Sequence, residues 1–379
     1  MTARPIYLDH QASTPCDPEL AALMTRVMLD FPANPHSADH AEGWRSAKAL
    51  EEARYRASAA FGAELSELIF TSGATESNNL ALFGLVKQVE QVCALSIDHA
   101  SLLSPIRRLA ESGTATALLP VNEDGQVRLE SLEEFVQRAP SLVAVGLVNS
   151  EIGVIQPIRE IAEICARHNA MLHIDAAQAL GRMKVDILDW GCASASFSAH
   201  KAYGPKGIGG LVLARDVQSR LTPISYGGGQ EFGLRSGTAP VYLAIAFAAA
   251  AERAGEQWRD NEINAHARRD RLLARLKNAC PRMQINGGLG DCRIGGNLNI
   301  AFPDVEAQAL LPRVASTLSL STSSACSSGA IRDSHVLTAL GLPSERIRRS
   351  LRLCFGRTNR DEDVDIVADT LLRAVNAAS

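Results

Sequence analysis

Lys201 is the residue of this sequence best suited to covalent chemistry through an amine. It lies in residues 196–207, where an apolar run gives way to aromatic, glycine and proline residues. Burial and nearby positive charge lower the pKa of such a lysine and free the lone pair that attacks a carbonyl carbon. Lys201 is therefore a candidate for a covalent bond to an aldehyde, although a single loop lysine is more often a solvated charge.

Asp175 is a candidate partner for a buried cation. It ends the apolar run of residues 171–175, and open α/β sheets bind ligands beyond the carboxyl ends of their strands. A carboxylate in such a place is costly unless a positive group meets it. A protonated ring nitrogen of a cofactor would serve, and so would a structural arginine.

Residues 70–78 have the composition of an anion-binding turn. A strand-like run ends, a glycine follows at position 73, and a helical pattern begins. The free N–H groups of a first helical turn attract anions, and Thr75 adds a hydroxyl. Thr75 is otherwise an N-cap residue. The segment matches neither a phosphate-binding P-loop nor a dinucleotide fingerprint.

Taken together in this order, the turn, the acid and the amine match the needs of pyridoxal phosphate. That cofactor requires a phosphate cradle, a partner for its pyridine nitrogen and a lysine for its aldehyde. Each feature alone has an ordinary structural explanation, and it is their combination that favours the cofactor.

The surrounding elements predict an α/β fold with a mostly parallel sheet and helices on both faces. Buried strands without polar alternation alternate with helical patterns, as in such sheets. The predicted strands are residues 67–71, 92–97, 141–148, 171–175, a strand around Phe197, and 209–213, and the predicted helices are residues 77–86, 101–112, 158–168 and 239–254.

The pattern of predicted strands and helices changes after about residue 257. Strands are predicted at residues 297–302, 318–321 and 351–355, and helices at 268–279, 305–316, 333–340 and 361–377. We therefore expect a large cofactor-binding domain, residues 16–256, and a smaller α/β domain made of residues 1–15 and 257–379.

The composition favours a cytoplasmic enzyme. The 379 residues include 38 basic and 42 acidic ones, a formal net charge of −4, and no long basic block that would bind nucleic acid directly. No run approaches the roughly 18 apolar residues of a membrane span, and the first residues lack a secretory signal. The eight cysteines show no metal-ligand spacing, so we expect no metal, and most of them, Cys165 included, should be buried.

The chain resembles the NifS/IscS-type cysteine desulfurases, which are pyridoxal-phosphate enzymes of fold type I with an aspartate-aminotransferase-like large domain. The matching segments span nearly the whole chain. They are residues 7–9, 34–35, 71–78, 98–99, 149–157, 175–178, 198–207, 227–238, 324–326 and 352–357.

The resemblance implies a role for each matching residue. Lys201 would carry the aldehyde of pyridoxal 5'-phosphate, Asp175 would keep its pyridine nitrogen protonated, and His99 would stack on the ring and move protons. The other cofactor contacts would come from Gln178 and Ser150 at the phenolic oxygen and from Ala74, Thr75, Ser198 and His200 at the phosphate. Thr238 would reach the phosphate of a neighbouring subunit, which implies a homodimer, while Arg352 and Asn34 would hold the substrate L-cysteine.

Several of these positions also have purely structural interpretations. His99 fits a hydrogen-bonded loop histidine, Arg352 a salt-bridge partner, and residues 227–229 a flexible turn. The family usually has asparagine where this chain has Ser150, so the shorter side chain would need a bridging water. Ala199 replaces the usual glycine before His200.

Cys326 lies among small polar residues without apolar periodicity, which suits an exposed reactive thiol. The resemblance implies that Cys326 attacks the sulfur of bound L-cysteine, that L-alanine leaves, and that a persulfide remains for sulfur-acceptor proteins. A free thiol titrates near pH 8.5, at about the value of model peptides, so either nearby positive charge or proton transfer to a base, for which His99 is a candidate, must raise the thiolate fraction. The segment after Cys326 resembles the longer loop of IscS-like members rather than the SufS-like one.

Alternative functions remain open at this level. Another fold-type I enzyme, such as a selenocysteine lyase or an aminotransferase, would use the same cofactor residues, but an aminotransferase has no use for Cys326. A non-catalytic sulfur carrier or scaffold would not need Lys201, His99 and Asp175 together. A nicotinamide dehydrogenase fits worst, because Pro205 interrupts the glycine-rich stretch. The acceptors in iron–sulfur cluster assembly, tRNA thiolation and DNA phosphorothioation are equally compatible with the sequence.

Overall fold

A computed structural model describes residues 4–63, 67–322 and 333–378. The helices in these ranges are α1 (Pro18–Asp30), α2 (Ala41–Ala60), α3 (Ala74–Leu85), α4 (Ala100–Glu111), α5 (Leu129–Val136), α6 (Ile158–Arg167), α7 (Ile187–Trp190), α8 (Arg215–Gln218), α9 (Val241–Ala279), α10 (Ala307–Val314), α11 (His335–Ala339), α12 (Ser344–Arg348) and α13 (Asp363–Asn376).

The strands of the same ranges follow in chain order. They are β1 (Ile6–Tyr7), β2 (Leu68–Thr71), β3 (Gln91–Leu95), β4 (Ala115–Leu119), β5 (Ser141–Gly146), β6 (Met171–Asp175), β7 (Ser194–Ser198), β8 (Gly209–Leu213), β9 (Gln284–Ile285), β10 (Asn297–Ala301), β11 (Leu318–Ser319), β12 (Ser321–Thr322) and β13 (Ser350–Cys354).

Seven strands form one sheet in the order β2-β8-β7-β6-β5-β3-β4. Strands β7, β6, β5, β3 and β4 pair in parallel, whereas β8 runs antiparallel to both of its neighbours. The central strands are buried along almost their whole length, as expected where helices cover both faces. The predicted α/β fold with a mostly parallel sheet is confirmed.

A second, four-stranded sheet is antiparallel throughout, in the order β12-β13-β10-β9. The short strand β1 pairs in parallel with β11, so the start of the chain lies beside its C-terminal third. A separate apolar core forms here, in which Leu298, Leu353 and Phe355 pack with side chains of α13.

The helix α9 joins the two cores. The sequence predicted two helices, residues 239–254 and 268–279, but residues 241–279 form one helix, about 58 Å long at 1.5 Å per residue. Its first half buries alanines in the core of the seven-stranded sheet, and its second half adds Leu272 and Leu276 to the other core. The change in composition near residue 257 therefore marks a change of surroundings within one helix. The division into residues 16–256 and residues 1–15 with 257–379 stays a prediction.

The helices α1 and α2 were not predicted from the sequence. The buried stripe of α2 consists largely of small residues, among them Ala53, Ala57 and Ser58, which let it approach other helices closely. Such a stripe carries little of the large-residue periodicity that identifies a helix in a sequence. Within the described ranges, no helix has the length and apolar character needed to cross a membrane.

Candidate active site

The candidate active site lies at the carboxyl edge of the seven-stranded sheet. β6 ends at Asp175, and the neighbouring β7 ends at Ser198 and continues into a 3-10 turn over Ala199–Lys201. Asp98 and His99 follow β3 and precede α4. Because the carboxyl ends of parallel strands meet at one edge, the fold brings these three chain segments together.

Lys201 occupies a half-buried position at this edge. Its Nζ donates to the backbone oxygens of Gln11 at 2.6 Å and Ala12 at 2.9 Å. The pKa of the amine is lowered from 10.5 to about 8. Burial is the largest cause, the positive charges of Arg352 and Arg182 act in the same direction, and Asp175 and Asp9 oppose them. A larger neutral fraction of the amine is therefore available at physiological pH, as a nucleophilic lysine requires.

Residues 9–14, which we call the N-terminal segment, cover this edge. The Gln11 oxygen that accepts from Lys201 also accepts from the Gln178 amide at 2.8 Å, and the Gln11 amide donates to the Asn149 oxygen at 3.2 Å. Asn297 donates to the side-chain oxygen of Gln11. Gln11 is fully buried. Its hydrogen bonds with Lys201 and Asn297 connect the edge of the large sheet to the four-stranded sheet.

Asp175 is a buried carboxylate with hydrogen-bond donors on both oxygens. Its Oδ1 accepts from the Ala177 N–H at 3.0 Å, and its Oδ2 accepts from the Asn78 amide at 2.7 Å. A carboxylate oxygen has more than one lone-pair direction, so both can still accept from a ligand. No ion-pair partner holds Asp175 within the described ranges, which weighs against the structural-arginine alternative.

His99 caps the N-terminus of α4. Its Nδ1 accepts from the Ser101 N–H at 3.1 Å, and the ring borders an open cleft of about 440 Å³ that Thr75 and Arg108 also line. Desolvation by the surrounding protein lowers the pKa of His99; Lys201 and His335 act in the same direction, while Asp175 opposes them. The imidazole is thus held neutral, the form that can accept a proton.

The turn between β2 and α3 is where the sequence predicts an anion site. Gly73 has φ of +148°, a conformation that residues with a Cβ rarely adopt, and in the described chain no side chain caps the first N–H groups of α3. A Cβ at position 73 would lie 3.5 Å from the Ser198 hydroxyl, so Ser198 faces this turn. Ala74 and Thr75 form the first residues of α3. These predicted phosphate-binding residues are therefore brought together.

His200 is anchored by the N-terminal segment. Its Nδ1 lies 3.1 Å from the Ser13 hydroxyl, and its backbone oxygen accepts from the Thr14 hydroxyl at 2.9 Å. Burial lowers the pKa of His200 to about 4, assisted by Lys201. The ring is neutral, and it would approach a phosphate as a dipolar hydrogen-bond donor and not as a charge.

Arg352 reaches the site from the middle of β13. Its guanidinium donates to Asp9 at 2.6 Å, to the Ser321 hydroxyl at 2.8 Å and to the Ser150 oxygen at 3.1 Å. The side chain is buried, yet its Nε has no partner within the described residues. Arg352 is thus both a salt-bridge residue and a cation with a donor left for another group.

The loop that contains Ser150 lies between Arg352 and the N-terminal segment. The Asn149 side chain accepts from the N–H groups of Glu151 at 2.8 Å and Ile152 at 3.0 Å, which fixes a tight turn. Ser150 is half-buried at its apex. The Ser150 backbone oxygen accepts from Arg352, and the contact of its side chain with a cofactor stays a prediction.

Two buried acids flank the site. Burial raises the pKa of Asp98 to about 7 and that of Glu151 to about 7. Asp98 accepts from two backbone N–H groups, and its own carbonyl oxygen lies 2.9 Å from His335 Nε2. Glu151 accepts from the Ser334 hydroxyl at 2.5 Å. The Glu151 carboxyl group and the backbone oxygen of Asp98 therefore fasten the start of α11 to the loops around Ser150 and His99.

For three predicted residues, no contact with this edge is described. Asn34 is exposed and its side chain accepts from the His36 N–H at 2.9 Å. Thr238 is exposed in the connection that leads to α9. Cys326 lies outside the described residues. The roles proposed for these three stay predictions.

The sequence analysis missed Gln11, Asn78 and Glu151 as parts of the site. Asn78 and Glu151 lie within segments that matched the family, and Gln11 lies two residues after such a segment. Their contacts depend on partners more than 90 residues away in the chain, such as Asp175 for Asn78. No local pattern singles them out, because Asn78 lies within α3 and Gln11 and Glu151 lie in turns.

Comparison with known proteins agrees with this geometry. A model of the aminotransferase class-V family matches residues 6–367. A probable mitochondrial cysteine desulfurase of Dictyostelium discoideum is 39% identical over 376 residues, which cover 98% of this chain and 83% of that protein. The cysteine desulfurase IscS of Rickettsia akari (strain Hartford) is 37% identical over 376 residues, 98% of this chain and 91% of that protein. A solved NifS-like protein superposes with a TM-score of 0.92 at 29% identity and covers 99% of this chain and 100% of its own.

Fold and site define a pyridoxal-phosphate-dependent enzyme of fold type I. The chain belongs to the aminotransferase class-V family, and the resemblance to NifS/IscS-type cysteine desulfurases is confirmed. The residues fit the cofactor: in the described chain the first N–H groups of α3 carry no side-chain cap, the Lys201 amine has a lowered pKa, and the buried Asp175 carboxylate has no ion-pair partner.

Proposed function

We propose that the chain is a cysteine desulfurase that takes sulfur from L-cysteine, releases L-alanine and keeps the sulfur as a persulfide on Cys326 for acceptor proteins. The observation that carries the proposal is the convergence of Lys201, Asp175 and His99 at one sheet edge, with Arg352 close enough to lower the pKa of Lys201. The relatives named cysteine desulfurase support the same reaction.

Pyridoxal phosphate would be held by groups at both ends of the site. The N–H groups that begin at Ala74, with the hydroxyls of Thr75 and Ser198 and the ring of His200, suit its phosphate. Asp175 suits the protonated ring nitrogen, and Gln178 and Ser150 suit the phenolic oxygen. When bound to Lys201, the cofactor supplies a sink for the electrons of the substrate's α-carbon.

Arg352 would bind the carboxylate of L-cysteine. Its unpartnered Nε and its Nη atoms form the planar fork that carboxylates match with two parallel hydrogen bonds. Asp9 now occupies one Nη atom, so the substrate competes with an internal ion pair. Asn34 would help to orient the amino acid.

Lys201 and His99 would move the protons. The lowered pKa of Lys201 lets the amine take the α-proton once it is free, and neutral His99 accepts the proton of a thiol. Both groups face the same edge, so a proton can pass between substrate and protein without leaving the site.

The sulfur step transfers the sulfur atom of L-cysteine to the thiol of Cys326. The thiolate of Cys326 attacks the sulfur of L-cysteine, an S–S bond forms, and the carbon–sulfur bond breaks. Its electron pair stays on the β-carbon, which gains a proton, so L-cysteine plus the Cys326 thiol give L-alanine plus the Cys326 persulfide without any external oxidant. Thr238 would complete the phosphate site of a second subunit, which makes the active form a homodimer.

The test measures the products of the purified protein with L-cysteine and pyridoxal phosphate. We expect equal amounts of L-alanine and transferable sulfur from the wild type, and almost none from Cys326→Ser, which should keep the cofactor's absorbance and bind L-cysteine. Cys280→Ser is the matched control, because Cys280 lies at the far end of α9 and should leave the rate unchanged. Undiminished sulfur release by Cys326→Ser would refute the assignment of the nucleophile.

A further inference from the structure

A chain of hydrogen-bonded side chains lies behind Asp175. The Asn78 amide is fully buried at its centre and contacts two strands and one helix. The members in order are Ser194 and His173, which lie 2.8 Å apart, His173 and Asn78, 2.9 Å apart, and Asn78 with Asp175 and Ser101, at 2.7 Å and 2.9 Å. None of these contacts belongs to the roles assigned above.

The orientation of the Asn78 amide follows from its neighbours. Asp175 Oδ2 is an acceptor, so the nitrogen of the amide must face it, and the same nitrogen donates to Ser101. The amide oxygen must then face His173 Nε2 and the Ser196 hydroxyl, which lies at 2.5 Å. The reverse orientation would press two oxygens together across 2.7 Å.

His173 is what fixes this orientation from the other side. To donate to Asn78 through Nε2, it must be neutral with its proton on that atom, and its Nδ1 must accept from Ser194. Full burial lowers the pKa of His173 to about 4, so the ring stays neutral at physiological pH. His173 thus offers one donor and one acceptor, each already engaged.

The same pattern reaches His99. The Ser101 hydroxyl accepts from Asn78, and its single hydrogen has two acceptors within reach, His99 Nδ1 at 2.8 Å and Asp175 Oδ2 at 3.4 Å. The Ser101 N–H donates to His99 Nδ1, so the His99 proton is assigned to Nε2, the atom not engaged by Ser101. The donors and acceptors of His173 and Asn78 are therefore all matched in one direction, and Ser101 links them to His99.

We propose that Asn78, oriented by His173, is a positioning residue that holds the Asp175 carboxylate in a single orientation as the partner of a protonated ring nitrogen. The inference rests on the proposed function, because it concerns the same cofactor. A hydrogen bond from the amide nitrogen favours the charged carboxylate, whereas a turned amide would place an oxygen there and favour the protonated acid.

The test compares two substitutions of His173 in the full-length protein. His173→Gln keeps an N–H donor at about the position of Nε2, and His173→Leu removes it and lets the Asn78 amide turn. We expect His173→Leu to raise the Kd for pyridoxal phosphate about tenfold, the size of one charge-assisted hydrogen bond, and to shift the pH titration of the bound cofactor's absorbance by about one unit. The Kd of His173→Gln for pyridoxal phosphate should stay within about twofold of the wild-type value.

A matched control separates this effect from a general loss of stability. Gln91 is another buried amide, which donates to the Phe135 oxygen at 2.8 Å and the Ser141 hydroxyl at 2.9 Å at the opposite end of the sheet. Gln91→Leu should lower the melting temperature without moving the cofactor titration.

Three results would overturn the proposal. They are an unchanged affinity and titration in His173→Leu, an equal loss in His173→Gln, and an equal shift in Gln91→Leu. A wild type that binds no pyridoxal phosphate would instead refute the proposed function, so the two failures are distinguishable.

Discussion

The two sheets supply the candidate site in different ways. The seven-stranded sheet delivers Asp175 and Lys201 from strand ends, where backbone geometry alone brings neighbouring strands to one edge. The four-stranded sheet delivers Arg352 from the middle of β13, and its position depends on side-chain partners, chiefly Asp9. Groups at the strand ends are therefore fixed by the fold, whereas Arg352 is held by an ion pair with Asp9, which the substrate carboxylate would have to replace if the proposed role is right.

The largest effect should come from a strand-end group. Lys201→Ala removes the amine that would hold the cofactor, so we expect sulfur release from L-cysteine to fall by about three orders of magnitude or more, as for other nucleophile deletions. The measurement is the initial rate with saturating pyridoxal phosphate. Lys206→Ala, an exposed lysine of the same loop, is the control. A Lys201→Ala protein with more than a tenth of the wild-type rate would contradict the account.

A smaller and different effect should follow at Arg352. Arg352→Lys keeps the charge but loses the planar fork, so the KM for L-cysteine should rise about ten- to hundredfold, the equivalent of one or two charged hydrogen bonds. The kcat should change much less, because the group binds the unreacting carboxylate.

The control for Arg352 is its neighbour in the chain. Arg349 pairs with Glu345 at 2.6 Å, and Arg349→Lys should leave the KM unchanged. If Arg352→Lys lowers kcat and spares the KM, Arg352 acts on the chemistry and not on substrate binding.

Glu151, at the boundary of the two regions, should govern the pH dependence of stability. Burial raises its pKa from 4.5 to about 7, so the folded protein binds this proton more tightly than the unfolded chain does. The group favours folding at low pH, and that contribution is lost as the pH rises through about 7.

Glu151→Gln cannot ionise, and its amide oxygen can still accept from Ser334. We therefore expect the difference in melting temperature, variant minus wild type, to become more positive as the pH is raised from about 5 to about 8. Glu130→Gln, at an exposed position of α5, should give a difference that does not change with pH. If the difference in melting temperature between Glu151→Gln and the wild type did not change with pH, burial would not raise the pKa of Glu151.

The smallest effect should come from the surface between α9 and α13. Arg275 pairs with Asp365 at 2.5 Å and Asp369 at 2.7 Å, and all three are substantially exposed. Exposed ion pairs contribute up to about 1 kcal/mol, so Arg275→Ala should lower the free energy of unfolding by about that amount or less. The kcat and KM for L-cysteine should stay at wild-type values, and a change in either would mean that this surface is coupled to the site.

The same contrast explains how much the sequence could predict. Asp175, Lys201 and the turn at Gly73 were found because each follows or ends an apolar strand, a local pattern that fixes a position in the fold. The continuity of α9 was not found, because its two halves face different cores and so differ in composition.

Contacts made by side chains across the chain were beyond prediction as well. Asn78 lies against Asp175 only because α3 packs on the parallel strands, and Gln11 meets Lys201 only because the N-terminal segment crosses the edge. Neither contact has a spacing that a single sequence displays. The family resemblance supplied residue roles, but it did not supply these partners.

The central claim is that Lys201 bonds the cofactor at the edge of the seven-stranded sheet. The most direct measurement is reduction of the protein with borohydride in the presence of pyridoxal phosphate, followed by mass spectrometry of its peptides. The account predicts a single stable pyridoxyl modification on Lys201 and none in Lys201→Ala. A modification confined to another lysine, or none in a protein with full activity, would contradict it.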